Sequence, residues 1–189
     1  MSTTLKQQLR KEFLGRRAHS TPEQWQKKSQ QIRNNLRNFP LLQQAKTVLT
    51  YLSFKQEPDL SPLYDEIKTN WGIPRCAGKN LTWHHWGQPL HQGKYGILEP
   101  RQDTPQINST EVDLILIPAL ACDSWGYRLG YGGGYYDRLL SAPEWQNITT
   151  VGIIFHDAYV DELPHDSWDI PLHYIITDKD EIKIPCVTD

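Results

Sequence analysis

The sequence predicts an α/β fold, with a layered, mostly parallel central sheet flanked by helices, on three observations. Short, almost wholly apolar runs recur, at residues 113–117 (Asp113, Leu114, Ile115, Leu116, Ile117) and 149–155, with the composition of strands covered on both faces. Stretches with apolar residues at helical spacing alternate with those runs, the pattern that produces parallel sheets. The length of 189 residues suits one substantial core, so a single domain over 1–189 is expected.

The first helix is read from Leu5, Leu9 and Phe13, each four residues apart, with Lys6, Arg10, Lys11, Arg16 and Arg17 interleaved as a basic flank. Lys6 and Arg10 share a face and repel one another unless a polyanion takes both; a solvated basic face is the plain alternative. Thr21, Pro22, Glu23 and Gln24 form a capping box that opens a second helix, running through Trp25, Ile32 and Leu36 and ending near Phe39 and Pro40. Residues 47–52 are β-branched or aromatic in majority and predict the first strand. Glu57 follows, beyond a strand's carboxyl end, where open α/β folds bind ligands; an ordinary loop acid is its other reading.

Ser61 and Pro62 signal a further helix through Leu63 and Ile67 toward Trp71, with Gly72 as its stop. Residues 73–76 and 81–86 read as strands. His84 and His85 invite a metal, but neighbours on a strand point to opposite faces and cannot readily share one ion. Residues 94–100 read as a loop containing Tyr95, and the polar stretch 101–110 as an exposed connector. After the 113–117 run, Pro118 cannot donate to a sheet ladder and ends the strand. Ser141, Ala142 and Pro143 close a helix beginning near Tyr135, and residues 174–177 predict one more strand. Before that strand lies an acidic loop with Asp166 and Asp169.

The chemistry concentrates in residues 126–138. Gly130, Gly132, Gly133 and Gly134 let bare backbone amides approach a ligand closely, and a helix start adds unpaired N–H groups that favour an anion. Neither the P-loop pattern nor the dinucleotide pattern fits, since Tyr135 stands where a third glycine should be. A tight hairpin could use the same glycines. Arg128 just before can fork onto phosphate oxygens, and Asp137 just after can hold a magnesium ion bridging them.

A formal charge of −2 gives no general attraction to a nucleic-acid backbone, and a small anionic ligand suits the chain better. The longest apolar run is too short to span a bilayer, and no apolar stretch follows a basic start, so a cytoplasmic protein is expected, with neither nucleic acid nor membrane as partner. Cys76, Cys122 and Cys186 are odd in number and far apart, which argues for reduced, structural thiols.

The run Gly126, Tyr127, Arg128, Leu129, Gly130, Tyr131, Gly132, Gly133, Gly134, Tyr135, Tyr136, Asp137, Arg138 resembles the signature of the 5-formyltetrahydrofolate cyclo-ligase family. Similarity extends to Lys6 and Arg10 in a K-x-x-x-R helix, Leu52 and Glu57, residues 95–100, and Asp169, Ile170, Pro171 and Leu172. The resemblance implies a Rossmann-like fold of the type shared with sugar-phosphate isomerases and CoA transferases. It also implies ATP-dependent closure of 5-formyltetrahydrofolate to the 5,10-methenyl form; a monomer is expected. ATP would phosphorylate the formyl oxygen, N10 would attack the activated carbon, and phosphate would leave. The substrate brings its own nucleophile, so the protein's work is positioning and charge stabilisation.

By the same resemblance Lys6, Arg10 and Arg128 are catalytic and meet ATP, together with Leu129, Gly130, Tyr131, Gly132, Gly133, Gly134, Tyr135 and Tyr136. Leu52, Glu57 and Tyr95 line the folate site, and Asp137 and Asp169 hold Mg2+, with Asp166 the near neighbour. Some relatives carry a lysine at the place of Gly133; here no ammonium comes from that position. Two other readings stay open: a non-catalytic nucleotide- or folate-binding protein, and a sugar-phosphate isomerase-like enzyme on a similar scaffold.

Overall fold

The computed structural model describes residues 2–185. The sheet is built outward from β6 (Leu114–Pro118), the apolar run singled out above. It pairs in parallel with β1 (Thr47–Leu49) on one side and β9 (Thr149–Ile153) on the other. Parallel pairing continues from β1 to β2 (Asn70–Ala77) and from β9 to β11 (Tyr174–Ile176). Antiparallel strands close both edges: β3 (Asn80–His85) on β2, and β12 (Glu181–Lys183) on β11. Among the described residues this gives seven strands in the order β12-β11-β9-β6-β1-β2-β3.

Successive residues of β6 alternate between two apolar layers: Ile115 and Ile117 face one, Leu114 and Leu116 the other. The first layer is covered by α1 (Ser2–Ala18) through Phe13 and by α5 (Tyr135–Ser141) through Leu139 and Leu140. The second is covered by Ile32 and Leu36 of α2 (Pro22–Asn38), Leu42 of α3 (Pro40–Gln44) and Leu63 of α4 (Pro62–Glu66). With a helix layer on each side, neither face of the strand has a reason to be polar. The α2 start has the reciprocal cap read from the sequence, Gln24 N donating to Thr21 Oγ1 at 3.2 Å and Thr21 N to Gln24 Oε1 at 3.0 Å.

Several expectations need correction. The helix after Ser61 stops at Glu66, and Trp71 and Gly72 lie inside β2, opposite Val48 and Leu49. A Cβ on Gly72 would come 2.5 Å from Leu49 Cδ2, so this glycine makes room for close packing between strands. Ser61 makes no side-chain cap; Asp59 Oδ1 accepts from both its N–H and its hydroxyl. Within the supposed loop, β5 (Leu98–Pro100) pairs with β4 (Leu90–Gln92). The connector after it buries Ile107, whose N–H donates to Trp83 O at 2.7 Å. The stretch after Pro118 holds β7 (Ala121–Asp123) and β8 (Arg128–Leu129), which form a small sheet with β10 (Tyr159–Val160). His84 is a buried side chain whose Nε2 meets Thr82 and whose Nδ1 meets Thr104; burial lowers its pKa. Cys76 and Cys122 are free thiols, while Cys186 lies outside the described residues.

The topology fixes where a ligand can sit. From β1 the chain crosses over through α4 to β2, and from its neighbour β6 through α5 to β9, in the opposite direction. The carboxyl ends of β1 and β6 therefore flank a crevice at the point where strand order reverses. The loop with Glu57 leaves from one lip and the glycine stretch from the other.

Gly126 turns the β7–β8 hairpin with φ +87°, and a Cβ there would lie 2.7 Å from Leu172 O. A left-handed backbone alone costs an L-residue roughly 1–2 kcal/mol. Gly126→Ala is therefore expected to lower unfolding free energy by at least that much, read as a lower urea midpoint with unchanged m-value.

Candidate active site

The loop beyond β1 is folded inward on itself. Lys55 (φ 46°) and Gln56 (φ 56°) are consecutive left-handed residues, neither of them glycine, an arrangement that persists only where its surroundings impose it. Here Ser53 Oγ and Trp25 Nε1 both donate to Glu57 O, at 2.7 and 2.9 Å, and Tyr51 OH donates to Pro58 O at 2.8 Å. The Glu57 side chain is thereby turned into the protein, 2% exposed, with Oε2 accepting from Phe54 N at 3.0 Å. Burial pushes its carboxyl up to about 7, while Arg17, the Phe54 amide and the Tyr131 hydroxyl pull it down. Leu52 is half-buried against the second apolar layer.

Across the crevice, the hairpin that carries Arg128 is organised by Asp123, a fully buried carboxylate accepting from the N–H groups of Trp125, Tyr127 and Leu163 at 2.9–3.0 Å. The glycine stretch then emerges onto the surface. Gly130 O accepts from Arg10 Nε at 2.9 Å, and a Cβ on Gly132 (φ +92°) would crowd that guanidinium at 3.3 Å. Gly134 (φ +64°) starts α5, and Arg138 Nη2 donates to Gly133 O at 2.8 Å. Because α5 has seven residues, the exposed loop backbone and Arg10 shape this face more than a helix dipole does.

The charged residues named from sequence converge here. Lys6 Nζ stands 2.6 Å from Asp166 Oδ2 and 2.6 Å from Asp169 Oδ2, and Asp169 Oδ2 also accepts from Asp166 N at 2.8 Å. Burial would lower the Lys6 pKa, but the bonds to the two acids prevail and raise it. Arg128, with a side chain 5% exposed, donates to Ile170 O at 2.6 Å and to Asp137 Oδ1. It is a buried strut joining α5 to the acidic loop, rather than a free arm over the glycines.

Tyr95 lies apart from Glu57 in these contacts. It is 60% exposed with φ 62°, on a tight turn beside Lys94, whose Nζ donates to Tyr135 OH at 3.0 Å. Arg17 is the residue that sequence patterning alone leaves among the solvated bases. It is 7% exposed, donating to Tyr131 OH at 3.0 Å and to Ala119 O at 2.6 Å. A signal was available: Arg17 stands four residues past Phe13, on the apolar stripe and not on the basic flank.

Among the described residues no group of three or more His, Cys, Asp or Glu side chains forms a metal cage. Magnesium does not demand one, since it commonly takes one or two carboxylates together with substrate phosphates and water. Arg128 joins the segments that carry Asp137 and Asp169, bonding Asp137 and the carbonyl of Ile170, the residue next to Asp169, and each carboxylate is paired with a cation of the protein, Asp137 with Arg128 and Asp169 with Lys6.

Comparison with known proteins bears on the fold and the family. A family model described as the 5-formyltetrahydrofolate cyclo-ligase family matches residues 2–178. The 5-formyltetrahydrofolate cyclo-ligase of Escherichia coli K12 is 34% identical over 176 residues, covering 86% of this chain and 94% of its own. That of Haemophilus influenzae is 31% identical over 187 residues, covering 93% and 99%. The solution structure of Aquifex aeolicus 5,10-methenyltetrahydrofolate synthetase superposes with a TM-score of 0.85 at 33% identity, over 98% of this chain and 95% of that one. The synthetase from Mycoplasma pneumoniae, at 23% identity and TM-score 0.73, shares the fold over 92% and 98%. With the motif, the fold and near-complete coverage in agreement, the chain belongs to the 5-formyltetrahydrofolate cyclo-ligase family of ATP-dependent ligases.

Proposed function

We propose that the crevice between β1 and β6 is where this chain brings ATP and 5-formyltetrahydrofolate together. The activity is that of its family, ATP-dependent cyclisation of 5-formyltetrahydrofolate to 5,10-methenyltetrahydrofolate with release of ADP and phosphate. The observation that supports the assignment of sites is the meeting of the two loops, with Tyr131 of the glycine stretch packed against Phe54, whose amide donates to the buried Glu57 on the other lip.

The formyl oxygen attacks the γ-phosphorus as the bond to ADP breaks; N10 then adds to the formyl carbon and loses its proton, and the C–O bond breaks as phosphate departs. Arg10 and the glycine amides hold the phosphates, and Lys6 and Arg128 add the positive charge that offsets what develops on the transferred group. The ATP contacts run from Leu129 to Tyr136. A magnesium ion at Asp137 and Asp169 would polarise the phosphates. Glu57 anchors the folate through a polar contact, Leu52 packs on its ring system, and Tyr95, exposed on its turn, packs on the folate. No step needs a protein nucleophile.

No helix among the described residues is long and apolar enough to cross a membrane. We take the working unit to be a cytoplasmic monomer of one domain, residues 1–189, for which light scattering after size exclusion is expected to read a mass near the 22.0 kDa of one chain.

The direct test mixes purified protein with 5-formyltetrahydrofolate, magnesium and ATP and follows the near-ultraviolet absorbance of the conjugated product. Growth of that chromophore only with ATP, and one ADP per methenyl group, is expected. Tight binding of either substrate without product would mark a binding protein instead. Arg128→Ala is expected to lower kcat about 100-fold or more. Because it also removes a buried strut, it should cost about 2 kcal/mol of stability, and chemical denaturation separates the two effects. Near-normal turnover in that variant takes Arg128 off the catalytic list. Glu57→Gln is expected to raise the folate KM about tenfold with the ATP KM little changed, in steady-state kinetics.

A further inference from the structure

We infer that Arg17 is a positioning residue that locks Tyr131 of the glycine stretch and Glu57 of the opposite loop into one arrangement, so that the two lips of the crevice are set together. The inference rests on the reading of Glu57 as a folate contact.

Arg17 occupies the last turn of α1, the helix that brings Lys6 and Arg10 to the phosphate side. An arginine at a helix end ordinarily reaches water, where its charge costs nothing. This one is buried, and burying a guanidinium is expensive unless its donors are used. They are: one terminal nitrogen donates to Ala119 O, the residue after β6, and the other to Tyr131 OH. The Tyr131 ring packs against that of Phe54, centroids 5.9 Å apart, and the Phe54 amide donates to Glu57 Oε2 at 3.0 Å, so the Tyr131 hydroxyl stands near enough to draw the Glu57 carboxyl toward ionisation. Three segments far apart in sequence thus converge on one fork, a geometry a lysine cannot reproduce.

The groups that act on Glu57 through charge or hydrogen bonding are Arg17 from α1, Tyr131 from the glycine stretch, Tyr136 from α5, Tyr51 just beyond β1 and the Phe54 amide. Burial holds the three phenols in the neutral form. Arg17 supplies the positive charge in this set and pulls the carboxyl toward ionisation against the effect of burial. Without Arg17 the Glu57 carboxyl titrates at higher pH, so a step needing the carboxylate loses its acid limb at higher pH as well.

The test measures kcat and folate KM across pH 5.5–9 at saturating ATP for the wild type, Arg17→Met, Arg17→Lys, Tyr131→Phe and Glu57→Gln. In parallel, carboxyl 13C NMR follows Glu57 in the substrate-free protein, its resonance assigned by loss in Glu57→Gln. Arg17→Met is expected to raise folate KM about tenfold or more while kcat changes less than about threefold. It should also move the acid limb and the NMR midpoint up by about one pH unit. Arg17→Lys should restore the midpoint more fully than the KM, because it returns charge but not the fork. Tyr131→Phe deletes only a hydroxyl and should raise KM in the same direction, which keeps the test decisive if Arg17→Met fails to fold. A folded Arg17→Met or Tyr131→Phe protein with wild-type KM and an unmoved midpoint overturns the inference while Glu57→Gln still raises KM. If Glu57→Gln leaves KM unchanged, the folate reading of Glu57 has failed.

Discussion

Two neighbouring parallel strands send the chain off in opposite directions, and the rest of the molecule follows from that reversal. β1 continues toward β2 and β6 toward β9, so no crossover covers the gap above their carboxyl ends. Both loops that rise there must find their partners in each other and in α1, which lies against the layer formed by Ile115 and Ile117. The helix is fixed by its apolar stripe, and its charged residues are thereby delivered to the crevice.

The charges at the site are largely satisfied within the protein. Lys6 is balanced by two aspartates, Arg128 by Asp137 and a carbonyl, Arg10 by the Gly130 carbonyl, and Arg17 by Tyr131 and Ala119. Dipoles and charges held in this way need no rearrangement when a transition state forms, and fixed electrostatics of this kind commonly contribute more to catalysis than any other single effect. Arg128 illustrates the division of labour. The sequence points to it as a phosphate ligand, yet its buried guanidinium holds together the segments that carry Asp137 and Asp169.

Much of this was legible without coordinates. β6 announced itself because burial on both faces removes any need for polar residues, and the α2 cap because its chemistry is local. The glycine stretch and the Lys6–Arg10 pair were visible as motifs. What failed was non-local. Trp71 and Gly72 have the look of a helix end, but the strand at Val48 and Leu49 claims them. The stretch after Pro118 pairs with itself as the β7–β8 hairpin, and its third strand, β10, comes some thirty-six residues after β7 to pair with it. Arg17 is hidden among five basic residues of one segment, and its burial depends on the carbonyl of Ala119 and the hydroxyl of Tyr131, neither of which is near in sequence.

The paired left-handed residues Lys55 and Gln56 set a trade-off at the lip that carries Glu57. Glycine or asparagine accepts that backbone region at far lower conformational cost, so the turn is a place where tolerance to heat could be gained without touching the core. The strained pair nonetheless contributes side chains: the Lys55 ammonium lies 5.1 Å from the centroid of the Phe54 ring and 5.9 Å from that of Tyr131. That cation spans the two lips from outside as Arg17 does from within. Relaxing the turn would exchange a bridge over the entrance for a more robust fold.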